Sequence, residues 1–193
     1  MSVCFTGLRS AFVTAIGAAM TAACAQTDPV TLSETDGAQI EGARWHHVHI
    51  NTVDAAASAG YYDKFFDADA ASFSGADAAV KSGDSWILFE EVETAAPTDL
   101  ITPIWHIGFG ATNPQAEERR QIELGNTIQS PLRELVGGVT GYKPGEFYFM
   151  YVQSPDGTLI ELNTAPTDQF GHIHLYSANP FAAAAWYCRY FGV

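Results

Sequence analysis

The chain has 193 residues, of which 47% are hydrophobic and 16% charged, a composition typical of a globular protein and not of a disordered segment. This length allows one ordinary domain with a buried core, or one domain and part of another. The formal net charge of −13 disfavours nucleic acids and anionic membrane surfaces as partners, because both require patches of Lys and Arg.

Residues 1–25 are predicted to be a secretory signal peptide. Arg9 is the only charge before a short run of small and apolar residues, and Ala23-Cys24-Ala25 is typical of a cleavage site. Cleavage after Ala25 would place the protein in the periplasm or outside the cell, with residues 26–43 as a flexible lead-in. Two alternatives are an ordinary N-terminal helix and a lipoprotein that is anchored to the membrane through Cys24.

Two segments of the chain have similar sequences. Residues 45–68 and 170–193 align without a gap, with the second copy 125 positions further along. The histidine pairs correspond as well: His47 with His172, and His49 with His174. A repeat of this kind indicates a structural module that is used more than once.

Hydrophobic periodicity predicts that strands and helices alternate. The first module, about 45–96, would contain a strand at 45–53, a helix at 54–67, a turn-rich connection, and strands at 78–81 and 85–92. After a linker between Pro97 and Pro103, the second module, about 103–165, would contain a strand at 104–109, a helix at 114–124, a long loop at 125–145, and a hairpin with strands at 146–152 and 158–163. Residues 170–193 would then begin a second, truncated domain.

Several of the predicted strands carry a polar residue among apolar neighbours. His47 and His49 are two residues apart and therefore face the same side, while Val48 faces the other side. His106 shares its face with Gly108, which would leave room beside it. A further strand contains Glu161 between two aliphatic residues, and a buried carboxylate without a partner is costly.

Two histidines and one glutamate from three strands form a set that can bind a divalent metal and leave coordination positions open. His47, His106 and Glu161 are therefore the candidate metal ligands. Such a set serves hydrolysis at Zn(II) or oxygen chemistry at Fe(II) or Mn(II). The alternative for each of these side chains is an ordinary place in the core or in water.

At these residues the sequence resembles the vicinal oxygen chelate superfamily, which includes glyoxalase I, bleomycin-resistance proteins and extradiol dioxygenases. The resemblance is carried by His47-Val48-His49-Ile50, by Trp105-His106-Ile107-Gly108-Phe109, and by the hairpin from Ser154 to Leu162. It implies an α+β fold in which paired βαβββ modules form a curved, partly open mixed sheet around a cavity. That domain would cover residues 44–166.

The resemblance also implies roles for individual residues. His47, His106 and Glu161 match the family's metal ligands, with Fe, Mn, Zn or Ni as the ion, and Glu161 would be essential to catalysis. His49 is not a standard ligand of the family; because it faces the same side as His47, it would be a base, a substrate contact or a packed histidine. Glyoxalase-type members add a glutamate from the last strand of the first module, for which Glu90 or Glu91 is the candidate, with a solvated strand end as the alternative. Tyr148 and Tyr151 could donate hydrogen bonds to a ligand. His172 and His174 would complete no site within this chain.

The expected function is that of an exported, metal-dependent dioxygenase or lyase that acts on a small oxygen-rich substrate, bound through neighbouring oxygens. A homodimer is a further expectation. The alternative is a metal-free binding module of the bleomycin-resistance type. A cupin is a third interpretation, because His47-Val48-His49 is an HxH motif, but the expected downstream glutamate is missing and the predicted helices fit that fold poorly.

Overall fold

The computed structural model describes residues 45–94, 103–137 and 141–192, and the predicted signal peptide and lead-in lie outside these ranges. The described residues form nine strands and three helices. The strands are β1 (His47–Thr52), β2 (Asp69–Ala71), β3 (Ala78–Ser82), β4 (Ser85–Glu91), β5 (Ile104–Ala111), β6 (Ile128–Glu134), β7 (Tyr148–Gln153), β8 (Leu159–Thr164) and β9 (Phe170–Leu175), and the helices are α1 (Ala55–Phe65), α2 (Pro114–Glu123) and α3 (Pro180–Phe191).

The two predicted βαβββ modules are present, which confirms the α+β fold class. The first forms a four-stranded sheet in the order β1-β4-β3-β2, and the second forms the order β6-β7-β8-β5 within a five-stranded sheet that β9 completes. In each module the first and last strands are parallel and neighbouring. The repeated order shows that both modules are built on the same plan.

Both module helices begin where the sequence predicts. The carboxylate of Asp54 accepts a hydrogen bond of 2.8 Å from the amide of Ala57, and the side chain of Asn113 caps α2 in the same way at Ala116. Each cap satisfies a backbone donor that the first helical turn leaves free. The predicted Pro114 stands at the start of α2, where its missing N–H costs nothing.

The core lies between the sheets and α1. On β1, Val48 and Ile50 are buried while His47 and His49 are exposed, so the predicted alternation is confirmed. Tyr62 on α1 is fully buried, and Phe66 stacks on Phe109 of β5 with ring centroids 4.5 Å apart. These aromatic contacts join residues of the two modules in one hydrophobic cluster.

Two strands were not predicted. Residues 128–134, predicted as part of a loop, form β6 at the edge of the five-stranded sheet. Pro131 lies in this strand, and the pairing with β7 is shifted on both sides of Ser130. An edge strand tolerates proline and irregular register because one row of its backbone groups needs no sheet partner. The short β2 replaces part of the predicted turn-rich connection.

The described residues separate into two compact units. Residues 45–94, 103–134 and 146–176 belong to one unit, and residues 135–137, 141–145 and 177–192 belong to the other. The second unit contains α3, which Asn179 caps and which ends at Gly192 with a positive φ of 70°. None of the described helices is long and apolar enough to cross a membrane.

Tyr62 provides a test of the core. Its hydroxyl is buried near the side chains of Thr158 and Ser154 without a hydrogen bond of normal geometry, and burial together with the charge of Asp156 raises its pKa well above 10. The folded-state pKa therefore lies above that of the unfolded chain. The free energy of unfolding is unaffected by this group below about pH 10 and falls as the pH rises further. We expect Tyr62→Phe to keep or slightly raise the free energy of unfolding at pH 7, by up to ~1 kcal/mol, and to flatten its decline above pH 10. Tyr187→Phe, at a position with 39% exposure, is the control in chemical denaturation, and a loss above 2 kcal/mol at Tyr62 would contradict this account.

Candidate metal centre

Three neighbouring strands bring one carboxylate and three imidazoles together. In the pairing of β5 with β8, Gly108 lies opposite Glu161, and in the pairing of β5 with β9, His106 lies opposite His174. His172, also on β9, lies opposite Gly108. Each of the four side chains offers one ligand atom, and these atoms all lie within 4.8 Å of one another. We call His106, Glu161, His172 and His174 the four-donor cluster.

The cluster is compact and largely shielded from water. The Nε2 atom of His106 lies 3.1 Å from Oε2 of Glu161, and their side chains are 0% and 6% exposed. The Nε2 atom of His172 lies 3.8 Å from the other carboxylate oxygen. The rings of His106 and His174 have centroids 4.3 Å apart. The carboxylate therefore stands between histidines that approach it from neighbouring strands.

Gly108 makes room for this arrangement. A Cβ atom built on Gly108 would collide with the imidazole ring of His172. The sequence predicts free space beside His106 at this glycine, and the structure shows that the ring of His172 fills it. A side chain at position 108 would push His172 away from Glu161.

Two further side chains hold Glu161 in place. The hydroxyl of Tyr151 donates a hydrogen bond of 2.7 Å to Oε2, and the amide of Asn163 donates one of 2.9 Å to Oε1. Burial alone would raise the pKa of Glu161, but contact with His106, the charge of His172 and the Tyr151 hydrogen bond lower it to about 2. Burial and the neighbouring carboxylate raise the pKa of Tyr151. At neutral pH the site therefore holds an ionised carboxylate and a protonated phenol.

The imidazoles are suited to ligation. Burial lowers the pKa of His172, and burial with the charges of His106 and His172 lowers the pKa of His174 to about 4. Neutral imidazole is the form that binds metals. Nε2 of His106 faces Glu161, but Nδ1 of His106, Nε2 of His172 and Nδ1 of His174 are buried without a hydrogen-bond partner. Such unpaired buried nitrogens are costly unless something fills their coordination.

Aromatic rings border the cluster on one side. Trp105 stacks on His174 with centroids 6.1 Å apart, and its ring also lies 5.8 Å from that of Tyr176 and 6.2 Å from that of Tyr151. Tyr176 is 44% exposed, so this wall extends from the buried donors towards the surface. An apolar wall beside polar donors is typical of a small-molecule site.

The structure brings together only part of the predicted ligand set. His106 and Glu161 are both in the four-donor cluster, but His47 and His49 lie on β1 in the other sheet, where both are exposed. The reason lies in the repeat: β9 resembles β1 in sequence, and β9 is the strand that pairs with β5. His172, the counterpart of His47, and His174, the counterpart of His49, thereby lie beside β5 and His106.

The sequence led us to expect no site at His172 and His174, but the structure places both in the four-donor cluster. Their signal in the sequence is the repeat itself, which aligns them with the first histidine pair. Glu90 and Glu91 are exposed at the end of β4, where Glu91 accepts a hydrogen bond from the amide of Ala55. Neither belongs to the cluster.

Gly108→Ala tests the geometry without reference to any ligand. We expect the added methyl group to displace the ring of His172 and to lower the free energy of unfolding by about 1–3 kcal/mol, as overpacking does. The matched control is Gly171→Ala on the neighbouring strand, where a Cβ would meet nothing closer than 3.7 Å. Histidine NMR spectra and chemical denaturation measure both effects. Unchanged His172 signals in Gly108→Ala would contradict the described packing.

Comparison with known proteins identifies the fold but does not indicate a specific activity. No protein-family model matches the sequence, and no curated protein matches it. Among solved structures, the chain is similar to a glyoxalase/bleomycin resistance protein/dioxygenase from Alicyclobacillus acidocaldarius, with a TM-score of 0.50 and 12% identity over 65% of this chain and 93% of that one. A virulence protein from Salmonella typhimurium gives a TM-score of 0.48 and 23% identity over 63% and 96% of the two chains. The first of these similarities confirms the predicted fold: the chain has the fold of the vicinal oxygen chelate superfamily.

Proposed function

We propose that the chain is a divalent-metal-dependent enzyme, a dioxygenase or lyase, that acts on a small substrate with neighbouring oxygens. The observation that carries this proposal is the four-donor cluster, with its ionised carboxylate and unpaired imidazole nitrogens. We propose Fe, Mn, Zn or Ni as the ion. Export to the periplasm, a homodimeric state and a lack of nucleic-acid partners belong to the same proposal.

The residues present fit a metal ion. Nitrogens of three imidazoles and one carboxylate oxygen suit Zn, Fe, Mn or Ni better than a hard cation, which would require mostly oxygen ligands. Two ligands bound at ~2.0–2.1 Å in tetrahedral geometry lie ~3.3 Å apart, so donors within 4.8 Å of one another need only small shifts to bind one ion. A bound ion would also remove the cost of the unpaired buried nitrogens.

The metal would supply Lewis-acid stabilisation of negative charge that develops on substrate oxygens. The protein's own groups then have defined roles. Tyr151 and Asn163 fix the two oxygens of Glu161, and Tyr151 holds its proton at the hydroxyl. Trp105 orients His174 by stacking on it and provides an apolar wall for substrate carbon. Such support of a ligand from outside the coordination sphere is usual at metal centres.

A second candidate is a metal-free module that binds small molecules. It is favoured by one specific observation: both oxygens of Glu161 already accept hydrogen bonds, from Tyr151 and Asn163, so the carboxylate is satisfied without an ion. The aromatic wall of Trp105, Tyr151 and Tyr176 would then be the binding surface, and the acidic chain would favour cationic ligands.

Metal content separates these candidates. We expect purified protein to retain about one equivalent of metal per chain after dialysis against metal-free buffer, measured by elemental mass spectrometry. His172→Ala and Glu161→Gln should each lose most of that ion because both remove a ligand, while the domain still folds by circular dichroism. His47→Ala is the matched control and should retain it.

Two results would contradict this assignment. Loss of the ion in His47→Ala but not in His172→Ala would mean that His47 on β1, and not His172 on β9, is the ligand. An absence of metal even after reconstitution would favour the binding module. Oxygen uptake with a panel of small substrates that carry neighbouring oxygens then distinguishes a dioxygenase from a lyase.

A further inference from the structure

A second group of histidines lies on the surface at β1, which belongs to a different sheet from the strands of the four-donor cluster. His46, His47 and His49 are all exposed. The Nδ1 atoms of His46 and His47 lie 2.7 Å apart, and the rings of His47 and His49 have centroids 5.0 Å apart. All six histidines of the chain therefore belong either to this group or to the four-donor cluster.

The spacing of His46 and His47 is close to that of two nitrogens on one metal ion. Nitrogens bound at ~2.0–2.1 Å and a right angle lie ~2.9 Å apart. In the observed contact, one ring donates a proton to the lone pair of the other. A neutral imidazole can carry its proton on Nε2 instead, which leaves both Nδ1 lone pairs free with no net loss of a proton.

The surroundings hold the two rings together. The ring of Phe73 lies 6.0 Å from that of His46 and 6.5 Å from that of His47, and Phe73 in turn contacts Trp86 at 5.1 Å. Pairing of β1 with β4 places His47 opposite Trp86, which fixes the backbone beneath them. The imidazoles are exposed, so they can turn about their last side-chain torsion to converge on an ion.

This pair is specific to the first copy of the repeat. The residue that corresponds to His46 in the second copy is Gly171, so β9 lacks the adjacent histidine. The net charge of −13 also raises the local concentration of cations around the chain.

We propose that His46 and His47 form a second, surface site for a divalent transition-metal ion of the Cu²⁺ type, with His49 as a further nitrogen within reach. Nitrogen donors and open tetragonal positions suit Cu²⁺, which binds such ligands more strongly than the other divalent ions of its row. Water would occupy the remaining positions. This site is separate from the proposed function and does not depend on it.

Paramagnetic NMR on the full chain tests the site. Cu²⁺ is added in steps up to two equivalents per chain, enough for the four-donor cluster and the surface pair together, because Cu²⁺ would also displace weaker-binding ions from the cluster. We expect the amide signals of residues 46–49 and of Phe73 to be broadened at two equivalents. His46→Ala should need at least ten times more Cu²⁺ for the same effect. Asn51→Ala, on the same exposed face of β1, is the matched control and should behave as the parent chain.

Two outcomes would overturn the site. The first is sharp signals for 46–49 at two added equivalents of Cu²⁺. The second is equal broadening in His46→Ala and the parent chain. If the four-donor cluster binds no metal, the proposed function fails, but the comparison of His46→Ala with Asn51→Ala still decides the surface site, because Cu²⁺ at β9 would act equally on both variants.

Discussion

The burial of one carboxylate constrains the whole site. Glu161 stands on β8 between Ile160 and Leu162, which belong to the hydrophobic core, and it is only 4% exposed itself. A charge in this position is tolerable only when its oxygens are paired. The groups around the carboxylate provide this pairing: imidazoles from β5 and β9, a phenol from β7, and a side-chain amide from its own strand.

The pairing of β9 with β5 then decides which histidines meet that carboxylate. β1 and β9 share a pattern in which histidines alternate with aliphatic residues, but they lie in different sheets. On β9 the histidines face Glu161, where burial keeps His174 neutral, and on β1 the same residue types face water. One sequence pattern therefore places two histidines in the four-donor cluster on β9 and two exposed histidines on β1.

Most of the fold could be predicted from the sequence because its signals are local. The caps at Asp54 and Asn113, the turn at Ser154–Gly157 and the alternation in β1 each depend on residues that are close in the chain. β6 could not be predicted, because Pro131 and Gly125 suggest a loop and only the neighbouring β7 makes an edge strand of this segment.

The site was predicted in part for a related reason. His106 and Glu161 could be recognised because polar residues in apolar strands are unusual wherever those strands lie. His172 could not be chosen over His47, because the choice depends on which of two similar strands pairs with β5, and this is a contact between distant parts of the chain. The glycine at position 108 indicated free space beside His106, but not which ring would occupy it.

Anomalous diffraction from a crystal soaked in Zn²⁺ tests the central claim most directly. The account predicts a strong peak within ~2.0–2.2 Å of ligand atoms from His106, Glu161, His172 and His174. A peak that His47 shares with His106 and Glu161, or no peak beside Glu161 at all, would contradict it.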